Sequence, residues 1–202
     1  MSPLGAGVPR LPALGSGPIG ICVVCTGNIC RSPMAEVVLR QLADRQTLDA
    51  AAPPATGTSG PATLGYRLRL SSAGTGPWHD GEPMDPRAAA ALANAGYDDH
   101  GHVARQFVAR QFDAQWVDDL DLLVALDRRH QQTLRSLTAG RLDDDRIVLL
   151  RSFDRTAGGA VDVPDPYYGG AAEFEACLAM IEAAGRGLVQ ALRASLTAPA
   201  AP

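Results

Sequence analysis

The stretch Val24–Glu36, VCTGNICRSPMAE, decides the fold that the sequence predicts. It completes the short apolar run IGICVVC (residues 19–25), whose β-branched residues indicate a buried strand. It then enters SPMAEVVLRQLADRQ, which we predict as a helix with Ser32 as its N-cap and Pro33 in its first turn. Two cysteines, a glycine and an arginine therefore fall in the turn between a strand and a helix.

The rest of the chain repeats this order of strand and helix. Further strands are predicted in YRLRLSS, LDLLVAL and RIVLLRSF, and further helices in DPRAAAALANAGY, HVARQFVARQFDAQW, RRHQQTLRSLTAG and AAEFEACLAMIEAAGRGLVQALRASL. This alternation predicts an α/β fold, with a four-stranded parallel sheet flanked by helices on both faces. Ligands of such sheets bind beyond the carboxyl ends of the strands, where the first turn lies.

Proline and glycine divide the chain into a domain and its flanking segments. Residues 1–17 carry no periodic pattern and are predicted to form a disordered tail. Residues 18–197 form the predicted domain, interrupted by a Pro/Gly-rich insert at about 47–64 that we interpret as a surface loop. Residues 198–202 are predicted to be a frayed C-terminus.

The composition argues against several classes of function. A net charge of −4 gives no indication of binding to nucleic acid or to an anionic membrane. No run reaches transmembrane length, and the N-terminus is too rich in proline and glycine for a signal peptide, so we predict a cytoplasmic location and leave signal-independent secretion open. The four cysteines do not form a disulfide framework, and CVVC is a weak metal motif. We expect a monomer without metal or cofactor.

The turn has the residues of a phosphate-binding loop. Backbone N–H groups from Thr26 to Arg31 can enclose one tetrahedral oxyanion, and the helix N-terminus adds a partial positive charge. Gly27 permits a sharp turn, and the planar fork of Arg31 can hold two phosphate oxygens. The same field favours a thiolate at Cys25, which would be a nucleophile directed at phosphorus.

A second motif, VDVPDPYYGG, can supply the acid that a leaving oxygen needs. Asp165 lies between two prolines, which stiffen the loop that would place its carboxyl group over a neighbouring site. Tyr167 and Tyr168 follow it and are expected to form walls for an aromatic substrate.

Together with SAGTGPWHDGEPMDPRA, HVARQ and LLVALDRRH, these motifs resemble the low-molecular-weight protein tyrosine phosphatase family, above all its actinobacterial members. The resemblance covers about residues 19–195 apart from the insert. It implies hydrolysis of phosphotyrosine in tyrosine-phosphorylated proteins through a cysteinyl-phosphate intermediate. In that scheme Cys25 is the nucleophile, Arg31 binds phosphate, and Asp165 is the general acid that later activates water.

The resemblance also assigns the neighbours of the nucleophile. Substrate-binding positions in the loop are Thr26, Gly27, Asn28, Ile29, Cys30 and Ser32. Among them, Asn28 would fix the unusual backbone of the loop and Ser32 would stabilise the thiolate. Cys30 matches a cysteine that can trap the nucleophile as a reversible disulfide, although filling space under the loop is an equally good interpretation.

Residues outside the loop complete the expected site. The resemblance places Trp78 beside the substrate ring, together with Tyr167 and Tyr168, and puts Ser72 and His102 in supporting positions. His79, His100 and His130 are expected to be solvated, whereas Cys22 and Cys177 are expected to be core residues.

Three alternatives remain for this sequence. An arsenate reductase on the same fold needs a downstream cysteine pair, and only Cys177 lies downstream. A protein-arginine phosphatase would resemble relatives with threonine in the loop, where this chain has Ile29. A phosphotyrosine-binding module without catalysis would be expected to lack Cys25 or Asp165, and both are present.

Overall fold

A parallel sheet of four strands, in the order β2-β1-β3-β4, forms the centre of the fold. The structure is a computed structural model that describes residues 9–14, 17–48, 63–97 and 114–197. The strands are β1 Ile19–Cys25, β2 Leu68–Gly74, β3 Leu122–Ala125 and β4 Ile147–Leu149, and the helices are α1 Arg31–Asp44, α2 Pro86–Asn94, α3 Arg128–Leu137 and α4 Ala171–Thr197. The predicted α/β fold is confirmed.

The strand order creates a crevice beside the first turn. From β1 the chain crosses through α1 to β2 on one side, and later returns to β3 on the other side of β1. All pairings are parallel, so the segments that follow β1 and β3 leave the same edge of the sheet. In sheets of this kind, ligands bind at the point where the strand order reverses. The loop between β1 and α1 lies at this point.

Alternate residues of β1 face two separate layers of helix. Ile21 and Val23 belong to a core cluster that also holds buried residues of α1, α2 and α4. Cys22 and Val24 point to the other face, where they share a smaller cluster with Leu134 of α3. All of these side chains are fully buried, so the strand stabilises both layers. Helices on both faces, as predicted, are confirmed.

The N-cap predicted at Ser32 is wrong. Helix α1 begins at Arg31, its cap position is Cys30, and no side chain caps it. The Ser32 hydroxyl is instead committed to contacts with the loop that precedes the helix. The fourth strand is shorter than predicted, since residues 150–153 form a 3-10 turn. The second strand has the predicted length but lies two residues further along the chain, since residues 64–67 form a 3-10 turn before it.

Two residues of the predicted tail contact the domain. Leu11 and Leu14 are partly buried and pack against the core. Thr47 and Thr63 form an isolated antiparallel bridge at the two ends of the insert. Most of the insert and of the helix predicted in HVARQFVARQFDAQW lie outside the described residues, as does the predicted C-terminal fray. No helix in the described ranges is long and apolar enough to cross a membrane.

Candidate active site

The loop between β1 and α1 is held in its shape by a buried asparagine. Asn28 has a φ of 57°, in the left-handed region that residues other than glycine rarely adopt. Its side chain is fully buried and its Nδ2 donates to Ser32 Oγ at 2.8 Å and to Ser72 Oγ at 3.1 Å. These two bonds stabilise the strained backbone at the centre of the loop. The structure thus brings Asn28 together with Ser32 and with Ser72, which the resemblance had put in a supporting position.

The Cys25 thiol group lies at the end of β1 beside the Ser32 hydroxyl. The distance from Cys25 Sγ to Ser32 Oγ is 3.0 Å, and both side chains are buried. Because Ser32 Oγ already accepts from Asn28, its own hydrogen is free to point at the sulfur. The other acceptor within reach, the Ala73 carbonyl, is more distant at 3.4 Å. This geometry suits stabilisation of a thiolate by a charge-assisted hydrogen bond.

The end of β2 holds the loop from the opposite side. The Thr75 N–H donates to the Cys25 carbonyl at 2.8 Å, and the Gly76 N–H donates to the Thr26 carbonyl at 3.1 Å. At Gly74 a Cβ atom would lie 2.7 Å from the Thr26 carbonyl oxygen, so a larger residue would push the loop away. The close approach of the two segments thus depends on glycine at this position.

Arg31 is buried between two carboxylates. Its Nη1 donates to Asp127 Oδ2 at 3.0 Å and to the Val163 carbonyl at 3.2 Å. Its Nη2 donates to Asp165 Oδ2 at 2.7 Å and to Thr26 Oγ1 at 3.3 Å. Only 4% of the side chain is exposed, so the fork is fixed in one plane before any ligand arrives.

Asp127 was not predicted from the sequence as part of the site. It follows β3 in the crevice and caps α3 by accepting the His130 N–H at 2.8 Å. Its other carboxylate oxygen holds Arg31. A feature of the sequence could have indicated it: in LVALD, an aspartate follows a predicted buried strand, and such positions lie at the ligand-binding edge of a parallel sheet.

The predicted acid lies at the rim of the same site. The side chain of Asp165 is 45% exposed, and its Oδ1 accepts the Tyr167 N–H at 3.3 Å. The contact of Oδ2 with Arg31 places this carboxyl group beside the phosphate-binding fork. A proton carried by Asp165 would therefore be close to a leaving oxygen above the loop.

A cavity of about 170 Å³ opens over the loop and has aromatic walls. Trp78 and Tyr168 project from its rim, with exposed fractions of 68% and 95%. Tyr167 packs edge-on against Tyr168, with ring centroids 5.1 Å apart. His79, which was expected to be solvated, is partly exposed: it lines this cavity, and its Nδ1 lies 2.6 Å from a Glu82 carboxylate oxygen.

Arg87 connects α2 to the loop that carries the acid, and sequence reasoning missed it. Its Nη1 donates to the Gly169 carbonyl at 2.8 Å, and its guanidinium lies over the rings of Phe174 and Tyr167 at 4.7 and 5.8 Å. Asp85, the cap of α2, accepts from the same guanidinium at 2.7 Å. The Tyr167 wall is thereby tied to a rigid helix end. The only signal was the motif DPR at a predicted helix start.

The remaining thiols are buried. Burial raises the pKa of Cys30 well above its usual range, with smaller contributions in the same direction from Asp85, Cys25 and Asp165. Cys30 is therefore a protonated thiol under the loop, and its redox role stays a prediction. Cys22 and Cys177 are core residues as expected, and burial raises the pKa of Cys177 to about 12.

His130 is buried, so the prediction that it is solvated is wrong. Only 4% of the residue is exposed, and burial lowers its pKa to about 4. Its Nε2 lies 2.8 Å from Thr26 Oγ1. His102 and His100 lie outside the described residues. Within the described part of the chain, no group of three or more metal-ligating side chains is present.

Comparisons with known proteins agree with the fold and the loop. Residues 20–64 and 58–198 match the family model for low molecular weight phosphotyrosine protein phosphatase. A low molecular weight protein-tyrosine-phosphatase of Streptomyces coelicolor is 47% identical over 183 residues, which cover 90% of this chain and 98% of that protein. The chain therefore belongs to this family of phosphatases, which are hydrolases. The family and the enzyme class predicted from the sequence are confirmed.

Two solved structures bear on the alternatives. The crystal structure of YfkJ from Bacillus subtilis has a TM-score of 0.66 and 32% identity, and covers 86% of this chain and 94% of its own. The arginine phosphatase YwlE, solved with a phosphorylated active site serine, has a TM-score of 0.63 and 26% identity, and covers 85% of this chain and 94% of its own. The same fold therefore occurs in a protein named for a different phosphorylated side chain.

Proposed function

We propose that this phosphatase hydrolyses phosphotyrosine in proteins through a phosphate ester of Cys25. The observation that carries the proposal is the convergence of three side chains on one cavity. The Cys25 sulfur is held by Ser32, the Arg31 fork is fixed beside the loop, and Asp165 lies within a hydrogen bond of that fork.

The reaction takes two displacements at phosphorus. In the first, the Cys25 thiolate forms the S–P bond while the bond from phosphorus to the tyrosine oxygen breaks, and Asp165 gives its proton to that oxygen. In the second, Asp165 takes a proton from water, whose oxygen attacks phosphorus and breaks the S–P bond. Phosphate leaves, the thiolate returns, and Asp165 is protonated again.

The loop and Arg31 stabilise the charge that develops during both displacements. In this proposal, backbone N–H groups of the loop and the N-terminus of α1 donate to the equatorial oxygens. Arg31 can hold two of these oxygens, because its fork is already planar and buried between Asp127 and Asp165. Contacts that strengthen as the phosphoryl group becomes planar lower the barrier instead of only tightening binding.

The walls of the cavity favour an aromatic phosphate ester. Trp78, Tyr167 and Tyr168 stand at its rim, and flat rings gain from packing between such walls. Ile29 is nearly buried in the lining and adds an apolar surface next to the loop. A guanidinium would need acceptors at this depth. Phosphoarginine is therefore disfavoured as a substrate, and it is the second one to test.

Arsenate reduction is also disfavoured. It needs a downstream cysteine pair, and the single downstream cysteine, Cys177, is buried in α4.

The proposal extends to the setting in which the enzyme acts. We propose a cytoplasmic monomer that acts on tyrosine-phosphorylated proteins without nucleic acid, membrane, metal or cofactor. The net charge of −4 supports the absence of a polyanionic partner. Sedimentation of the purified chain at micromolar concentration tests the monomer, and a dimeric species would contradict it.

The substrate is tested with three peptides of one sequence that carry phosphotyrosine, phosphoserine or phosphoarginine. We expect phosphate release from the phosphotyrosine peptide only. Cys25→Ser should abolish release, because the loop does not ionise a hydroxyl, and Cys177→Ala serves as the matched control for loss of another buried thiol. Preferred release from phosphoarginine, or turnover by Cys25→Ser, would overturn the proposal.

A further inference from the structure

A buried histidine lies behind the phosphate-binding loop and is not explained by the two displacements. His130, in the first turn of α3, places its Nε2 2.8 Å from Thr26 Oγ1. Its other ring nitrogen, Nδ1, lies 3.0 Å from Asp127 Oδ1, although without the geometry of a formed hydrogen bond. Thr26 is part of the loop, and Asp127 holds Arg31. His130 therefore contacts two residues that define the phosphate site.

The hydrogens of this cluster follow from its chemistry. We assign the ring hydrogen to Nδ1, because the other tautomer would place a nitrogen lone pair 3.0 Å from the Asp127 carboxylate, which has no hydrogen to offer. Burial keeps the imidazole neutral, since it lowers the pKa of His130 to about 4. Nε2 is then an acceptor and takes the Thr26 hydroxyl hydrogen. The lone pairs of Thr26 Oγ1 are left for Arg31 Nη2, which can only donate.

We propose that His130 is a positioning residue for the phosphate site: it orients the Thr26 hydroxyl, which in turn holds the Nη2 end of the Arg31 fork in the plane of the loop. The inference rests on the proposed function, because it assigns to Arg31 the task of binding the phosphoryl group.

The contacts of Arg31 show why Nη2 needs a second hydrogen-bond acceptor besides Asp165. Nη1 has two fixed partners, Asp127 and the Val163 carbonyl. Nη2 has Asp165 and Thr26, and Asp165 must serve the leaving oxygen and the attacking water during catalysis. When Asp165 exchanges its bond with Arg31 for a bond with the substrate or water, Nη2 still donates to the Thr26 hydroxyl. The orientation of Thr26 then depends on His130, whose ring is locked by its burial.

Four single variants and one double variant test the chain of contacts in the full-length protein. Thr26→Val and His130→Leu each remove the bond between the two side chains, and we expect each to lower kcat for an aryl phosphate about tenfold. Both act through the same bond, so the double variant should also lose about tenfold and not about a hundredfold. Thr26→Ser and His130→Gln, which keep a hydroxyl and an acceptor, should restore most of the loss.

Thr133→Val is the matched control. Thr133 lines a second cavity together with Thr26 and His130, and the one hydrogen bond of its side chain to the described residues goes to the Arg129 carbonyl. It should leave kcat within twofold of the unchanged protein. Calorimetric binding of inorganic phosphate gives a readout that does not need turnover, and Thr26→Val should weaken it about tenfold. If the unchanged chain bound phosphate but hydrolysed no ester, the proposed function would fail while this comparison still tested the inference.

Several results would overturn the role of His130. Losses below twofold in Thr26→Val, a hundredfold loss in the double variant, or equal losses in His130→Gln and His130→Leu would each contradict it. A thermal melt of every variant separates activity from folding. If His130→Leu did not fold, the pair Thr26→Val and Thr26→Ser would decide, since equal activity of these two contradicts the bond and rescue by serine supports it.

Discussion

Replacing Arg31 by lysine separates the charge of this side chain from its shape. The arginine makes four hydrogen bonds through its two terminal nitrogens, two of them to the carboxylates Asp127 and Asp165. Lysine has one nitrogen on an arm of different reach, so it cannot hold Asp127 and a phosphoryl group together. Loss of one charge-assisted bond in the transition state costs about 2–3 kcal/mol, which corresponds to a loss in kcat of roughly 30- to 160-fold.

The measurement is steady-state hydrolysis of a chromogenic aryl phosphate by Arg31→Lys. Arg40→Lys is the matched control, because Arg40 is in the same helix but pairs with Glu36 and the Leu70 carbonyl, away from the loop. We expect the control to retain full activity. A loss below about tenfold in Arg31→Lys, about 1.4 kcal/mol, would show that charge alone suffices and that the bidentate contact has no part in the barrier.

Three further predictions follow from the site. Asp165→Asn should slow esters of weakly acidic phenols more than esters of acidic ones in the burst phase of a rapid-mixing experiment, because only poor leaving groups need the proton; an equal penalty for all esters would place the acid elsewhere. Mild peroxide should inactivate the enzyme reversibly through a disulfide of Cys25 and Cys30, and since burial raises the pKa of Cys30, bridging should accelerate as the pH rises from 7 to 9. Mass spectrometry that found only sulfinic acid at Cys25 would contradict this. Because burial lowers the pKa of His130 to about 4, its neutral ring stabilises the folded protein fully above pH 6.5, and this stabilisation is lost as the pH falls towards about 4. The free energy of unfolding should fall by about 2 kcal/mol between pH 7 and pH 5. Urea unfolding at pH 7 and 5 should show a smaller loss in His130→Gln, and equal losses would exclude the histidine as the source.

The parts of the fold that could be predicted are those set by short stretches of sequence. The loop, its preceding strand and its following helix lie within about two dozen residues, so their patterns of apolar residues, glycine and proline are locally readable. The alternation of strand and helix then leaves few topologies. The expected roles of Ser32 beside the thiolate, of Asn28 in the loop and of Ser72 in support come from the family resemblance and not from a local pattern.

The missed residues depend on contacts between distant parts of the chain. Asp127 reaches Arg31 across 96 positions, and His130 reaches Thr26 across 104. No local pattern distinguishes a buried histidine at a helix start from a solvated one. Likewise, no local pattern shows that Arg87 reaches the Gly169 carbonyl, 82 positions away. The error at Ser32 has a related cause. Its position before a proline is typical of a cap, but bonds to Cys25 and Asn28 take the hydroxyl.

The bridge between Thr47 and Thr63, together with the bond from the Leu64 N–H to the Gln46 carbonyl, fastens two parts of the chain to each other just beyond α1. The bridge follows the last turn of α1, whereas the phosphate-binding loop precedes the first, and the 14 residues between them span about 21 Å. A change in the number of residues between the two bridged threonines therefore acts on the far end of α1 and not on the end that carries the Cys25 loop.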